Sequence, residues 1–312
     1  MKFSLHVPVP LVIDGGAKGA SALKTVVQAA EAAGFDGCDL TDHPAPTASW
    51  RYNMGGHDAL DPFAALAFVA AVTTRLHLLT HILVLPYRNP FLTAKGVATL
   101  DLLCEGRLIV GVAAGYLEDE FKALVVDFAS RNETMNEAVT VMKRAWSGER
   151  VAFEGRRFTA DDILPRPLPV QKPHPPIWGG GNSTAAIRWA AEHCDGWSPF
   201  FVSSERATSR HTKPMATVED LAGRIEILRR DLEAVGRTRP FDICAGLPTP
   251  LTNCDTANAR MLLDAIGRMT EIGVTWMEIP LPEPNLAAML DNIQWFSEEV
   301  LKKFRPTPAE ES

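Results

Sequence analysis

Four times along the chain a helix-like run ends in glycine and leads directly into a short apolar run: "AAEAAGFDGCDL", "TLDLLCEGRLIVGV", "LEAVGRTRPFDICAGL" and "MTEIGVTWMEIP". Gly34, Gly106, Gly236 and Gly273 therefore read as helix C-caps, where a left-handed residue stops the helix and turns the backbone into a strand. Helix starts are marked too. Asp61-Pro62 and Asn89-Pro90 each place a capping side chain before a proline suited to the first helical turn, and Thr217 with Asp220 has the form of a capping box. Apolar residues recur at helical spacing in Met135, Val139, Met142 and Trp146, in Leu221, Ile225, Leu228 and Leu232, and in Met289, Ile293, Phe296 and Val300. Each of these helices should bury one face.

The strands between them read as "FSLHVPV", "GCDLTD", "LHLLTHILVLP", "RLIVGVA", "PPIWGG", "DGWSPFF", "FDICAGL" and "TWMEIP". Several are apolar at nearly every position, as expected for parallel strands covered on both sides. A chain of 312 residues that is 46% hydrophobic has material for one large core or two smaller ones. Eight strands alternating with about as many helices predict one α/β domain over 1–312, a (β/α)8 TIM barrel rather than an open doubly wound sheet. Two segments break the beat. Residues 148–176 predict a short hairpin and proline-rich insertion before strand five, and the polar residues 202–216 a mobile loop after strand six.

The net charge of -7 argues against a nucleic-acid or anionic-membrane partner, leaving small molecules bound at local sites. Cys38, Cys104, Cys194, Cys244 and Cys254 are scattered, with no CxxC pair to suggest zinc or a disulfide framework, so a reducing cytoplasm fits best. No signal-like opening and no run of about 18 apolar residues supports secretion or membrane spanning.

In a barrel, chemistry is expected at the C-terminal ends of the strands. Gly179, Gly180 and Gly181 stand at one such end, with Asn182 or Ser183 able to cap the next helix. Several backbone N–H groups would then converge beside a positive helix terminus, which makes a phosphate cradle; the alternative is a glycine-rich turn that merely closes the barrel. "LTDHP" puts Asp42 and His43 at the end of strand two, where an imidazole can hydrogen-bond or transfer a proton, or simply cap a loop. Gly111 and Gly115 leave the backbone bare at strand four. His6 and His81 could face inward, with a polar interior satisfied by hydrogen bonds as the plainer reading.

The segments "LLTHILVLPYRNPFLTAKGVATLDLLCEGRLIVGVAAGYLEDEF" and "PPIWGGGNSTAAIRWAAEHCDGW", in that order, resemble the luciferase-like monooxygenase family, and most closely its branch that uses the deazaflavin coenzyme F420. The resemblance runs from strand one to about Trp197, includes "LTDHP", and continues more loosely through "EIGVTWMEIPLP". It implies a (β/α)8 barrel with an insertion between strands four and five. Gly180, Gly181, Asn182 and Ser183 would hold the coenzyme phosphate. Asp42 and His43 would lie beside the ring, with His43 the catalytic candidate. A non-prolyl cis peptide would fall at His81-Ile82, near Val84, and Ala114, Gly115 and Tyr116 would edge the pocket. Tyr116 stands where the family's sugar-phosphate dehydrogenases carry a glutamate, which puts such a substrate in doubt.

The resulting expectation is a cytoplasmic F420-dependent oxidoreductase acting on an organic substrate, with an FMN-dependent, oxygen-using monooxygenase as the alternative. Arg88, Lys213 and Arg210 are candidate escorts for the longer anionic tail of the deazaflavin. A non-catalytic coenzyme carrier would keep the cradle without turnover. A metal-dependent barrel hydrolase finds no support, because strand one lacks an H-x-H pair and the histidines are dispersed. A homodimer is compatible with the resemblance but is not readable from the residues.

Overall fold

The computed structural model describes residues 1–305. Residues 306–312 of the single domain expected over 1–312 lie outside the described residues. Eight parallel strands close into a barrel: β1 (Lys2–His6), β2 (Gly37–Leu40), β3 (His77–Val84), β4 (Leu108–Ala113), β7 (Ile177–Gly180), β8 (Gly196–Ser198), β9 (Asp242–Ala245) and β10 (Trp276–Ile279). β1 pairs with both β2 and β10, which seals the ring. This is the (β/α)8 fold that the glycine-punctuated sequence predicts.

The local signals act as read. Gly34, Gly106, Gly236 and Gly273 all take positive φ, at 98°, 79°, 67° and 102°. Asp61 and Asn89 accept N–H bonds from Ala64 and Phe91, and Thr217 with Asp220 forms a complete capping box. The periodic apolar residues are buried against the barrel except Leu232, which is half-buried.

The expected insertion contains an antiparallel hairpin, β5 (Val151–Glu154) with β6 (Thr159–Ile163). Its proline-rich return carries cis bonds at Arg166-Pro167 and Lys172-Pro173. It is pinned by Gln171, whose backbone N–H and side-chain amide donate to the fully buried Asp101 at 3.0 and 2.7 Å. Residues 202–216, expected as a mobile loop, contain a helix at Ser204–Ser209. An antiparallel bridge between Val202 and Met215 closes the base of that segment. Apolar Ala207 and Met215 supply the reason, since both are buried beneath the polar residues that dominate the stretch.

Strand alternation divides the barrel interior into layers. Leu79, Ile109, Trp178, Cys244 and Trp276 form a small apolar cluster of their own, separate from the main core between strands and helices. Trp178 and Trp276 meet edge to face at 5.5 Å. Glycines make room for them: a Cβ on Gly196 would sit 2.3 Å from Trp178, and one on Gly37 3.2 Å from Trp276. One step further along the same strands the inward residues become Asp39, His81, Ser198 and Glu278, so the interior turns polar.

Gly196→Ala should therefore destabilise the fold by about 1–3 kcal/mol through overpacking. Urea denaturation checks this, and a midpoint equal to that of the unsubstituted protein would contradict the packing described.

Candidate active site

Where the strands end, the side chains surround a cavity of about 420 Å³. Asp42, His43, His81, Ile82, Val84, Ala114, Gly115, Tyr116, Gly180, Gly181, Asn182 and Ser183, the residues singled out above, all line it. The peptide between His81 and Ile82 is cis, at the position the resemblance implies. The register of β3 against β4 shifts between Thr80 and Leu83 at the same place.

The three glycines have internal reasons that the sequence did not disclose. A Cβ on Gly179 would meet Ala190 and Trp189 at 3.0 Å, so its role is helix packing. At Gly180 it would lie 2.5 Å from Ile82 Cδ1, inside the bulge of β3, and Gly181 has φ +114°. Packing and backbone conformation within the protein are thus sufficient to require glycine at these three positions. Asn182 is fully buried and its amide is spent on protein: Nδ2 donates to the Phe200 and Lys213 carbonyls, and Oδ1 accepts from the Phe200 N–H. Its side chain thus clamps two loops together, and any part of Asn182 in holding a phosphate falls to its backbone. Ser183 caps the helix Thr184–His193 by accepting from the Ala186 N–H at 3.1 Å. The remaining first-turn N–H groups have no partner within the helix and leave an anion-binding terminus at the cavity wall.

Asp42 is buried and receives Arg88 on both oxygens, at 2.8 and 3.0 Å, together with the Val84 N–H at 3.0 Å. This ties the end of β2 to the end of β3. It also corrects the role of Arg88, which is consumed by Asp42 and is no escort for a coenzyme tail. The exposed Lys213 does not line the cavity, whereas Arg210 does, beside Arg131, Asn132 and His211. Among the described residues neither Arg131 nor Arg210 has a carboxylate within 4.0 Å. Both guanidiniums therefore line, with no carboxylate of the described residues in direct contact, the same cavity as the N-terminus of the helix Thr184–His193.

His43 is nearly buried, and its Nδ1 lies 3.2 Å from Glu120 Oε2. Glu120 also accepts from the Ala45 N–H at 3.1 Å and the Tyr87 hydroxyl at 2.9 Å. Burial and the Glu120 charge both push the Tyr87 phenol up, so it stays a donor. Nδ1 is thereby committed, and Nε2 is the ring nitrogen without a protein partner among the described residues. Trp50, His57 and Tyr116 pack around the imidazole with centroids 4.5, 5.1 and 5.9 Å away. Burial, then the charge of His43, lowers the pKa of His57 to about 4. Sequence reasoning missed Glu120 and Tyr87, although both lie in quoted strand-end segments; which of the acids in "LEDEF" turns inward depends on the helix Glu118–Ala123.

Below the cavity His6, Asp39, His81 and Glu278 converge, so the histidines that look dispersed in sequence are neighbours here. His6 Nδ1 is 2.7 Å from Asp39 Oδ1 and 3.2 Å from Glu278 Oε1, and His81 Nδ1 is 3.4 Å from Glu278 Oε2. The Ser4 hydroxyl donates to Asp39 at 2.6 Å. Burial opposes charge on His6, but its bonds to Asp39 and Glu278 prevail and raise its pKa to about 10. His81 is raised as well, chiefly by the Glu278 charge acting against burial. The contacts are those of a hydrogen-bonded, charge-paired network.

The luciferase-like monooxygenase family model matches residues 1–271. An F420-dependent glucose-6-phosphate dehydrogenase of Nakamurella multipartita is 32% identical over 225 residues, which are 70% of this chain and 60% of that protein. Among solved structures, the monooxygenase RslO1 from Streptomyces bottropensis superposes with TM-score 0.77 at 20% identity, covering 97% of this chain and 100% of that one. An F420-dependent secondary alcohol dehydrogenase, in complex with an F420-acetone adduct, gives TM-score 0.73 at 18% identity over 96% and 99% of the two chains. With the family model matching from β1 through β9 into the helix before β10, the chain belongs to the luciferase-like monooxygenase family.

Proposed function

We propose that this protein is a coenzyme F420-dependent oxidoreductase that moves hydride between the deazaflavin and a small organic substrate in the cytoplasm. The observation that carries this reading is the convergence of a helix N-terminus, two uncompensated arginines and the His43–Glu120 pair on one cavity. The likeness to an F420-dependent dehydrogenase supports the deazaflavin over FMN. Arg131 and Arg210 suit an anionic tail. Tyr116, with its phenol pushed up by burial, argues against a sugar-phosphate substrate and offers a hydroxyl for orientation instead.

The residues present fit such a coenzyme. The N-terminus of the helix Thr184–His193 would hold its phosphate, and the coenzyme would supply the hydride chemistry. The Asp42–Arg88 pair keeps the β2 and β3 ends at fixed separation, which holds Ile82 and Val84 as one wall. Glu120, itself fixed by Tyr87 and Ala45, orients the His43 ring so that Nε2 handles the proton of the substrate. Trp50, Tyr116 and Phe200 help exclude water.

Titrating the protein with F420 and with FMN, followed by fluorescence, tests the choice of coenzyme. Binding of F420 is expected; tight FMN binding without F420 binding, or oxygen consumption on reduction, would replace this reading with the monooxygenase. Ser183→Asp keeps a competent helix cap but sets a negative charge at the phosphate position. It should weaken coenzyme binding at least about tenfold, roughly 1.4 kcal/mol, with the melting temperature unchanged. His43→Ala should cut turnover by roughly 10²–10⁴-fold while coenzyme affinity changes only a few-fold; turnover retained within a few-fold would make His43 structural.

A further inference from the structure

Besides His43, which Glu120 backs from outside the cavity, the cavity is lined by a histidine–glutamate pair, and this one ends in a hydroxyl. Ser198 Oγ on β8 is 2.7 Å from His81 Nε2 on β3, and His81 Nδ1 is 3.4 Å from Glu278 Oε2 on β10. All three residues line the cavity. We propose that Glu278, His81 and Ser198 form a second proton relay, whose terminal hydroxyl delivers a proton to an oxygen or nitrogen of the bound organic molecule as hydride moves. The proposal rests on the oxidoreductase reading.

Charge balance sets the direction of the relay. His81 faces Glu278, Asp39 on β2 at 4.0 Å and Cys244 on β9, whose thiol burial keeps protonated; His6 on β1 reaches the same two carboxylates. Among the described residues no lysine or arginine lies within 4.0 Å of Asp39 or Glu278. Two carboxylates inside a barrel require compensating positive charge, and only His6 and His81 supply it. As an imidazolium, His81 donates its Nε2–H to Ser198, which leaves the serine hydrogen free to point into the cavity. A serine beside a neutral histidine would be a nucleophile; a serine that accepts from an imidazolium is a proton donor.

The step balances as follows. With a reduced flavin-type coenzyme bound, hydride and its electron pair would reach the carbon of a C=O or C=N group held against Ser198. The π pair moves onto the heteroatom, which forms a bond to the Ser198 proton. The Nε2 proton of His81 passes to Ser198, His81 is left neutral against Glu278, and water restores the proton. The same chemistry applies to the coenzyme ring when it is itself reduced, since its electron pair also ends on a heteroatom.

Ser198→Ala should slow hydride transfer about 10²-fold. It should also abolish the solvent isotope effect on that step and leave coenzyme affinity within twofold; Ser198→Thr, which keeps the hydroxyl, should restore both. Loss seen when the bound coenzyme is reduced chemically without substrate assigns the proton to the ring, and loss seen only with a carbonyl substrate assigns it to the substrate. Unchanged rate and isotope effect in Ser198→Ala would overturn the relay, as would stoichiometric labelling of Ser198 by a fluorophosphonate. If the unsubstituted protein transfers hydride with no coenzyme, the oxidoreductase reading fails, and nitrogen-15 NMR of the coenzyme-free protein still decides on the relay. His81 must then be an imidazolium at neutral pH and lose that state in Glu278→Gln; a neutral His81 refutes it.

Discussion

Closing eight strands into a ring leaves an interior that must be filled, and here two tryptophans fill its lower part. Gly196, on the strand next to Trp178, and Gly37, across β1 from Trp276, leave room for the two rings. This plug gives the strand ends a rigid base. Because side chains alternate along each strand, the next inward positions fall together in one layer directly beyond it. The position of Asp39, His81, Ser198 and Glu278 thus follows from the registry of the tryptophan layer.

That polar layer would be costly if its charges were unpaired. Its two carboxylates and two imidazoles answer one another, with the Ser4 and Ser198 hydroxyls attached to the network. The resulting floor is polar and stiff under a cavity whose walls are largely apolar. A parallel arrangement holds at the side, where Glu120 gathers His43, Tyr87 and the Ala45 N–H. Two of the histidines that line the cavity, His43 and His81, are thus each paired with a glutamate.

Several residues that look like ligand contacts in sequence serve the frame instead. Arg88 neutralises Asp42, and Asn182 clamps Phe200 to the segment after β8. The glycines of β7 and its turn accommodate Ala190, Ile82 and a positive φ. Beside these, the cavity is lined by the N-terminus of the helix Thr184–His193 and by Arg131 and Arg210. The glycine run marks the same strand end as the helix terminus, but its own glycines answer to packing within the protein.

Helix stops at Gly34, Gly106, Gly236 and Gly273, the caps at Asp61, Asn89 and Thr217, and the apolar faces between them were all legible in the sequence, because each depends on backbone preferences acting over a few residues. The count of strands and their nearly uniform apolarity implied the barrel, and the barrel implied that Asp42, His43, Ile82 and Gly180 would meet at strand ends. What only the tertiary structure decided is the pairing of side chains across elements: Glu120 with His43, Arg88 with Asp42, Glu278 with His6 and His81. Those partners come from distant parts of the chain. Their contact is set by strand register, by barrel closure and by the angle at which one short helix leaves β4, none of which any local stretch of residues encodes.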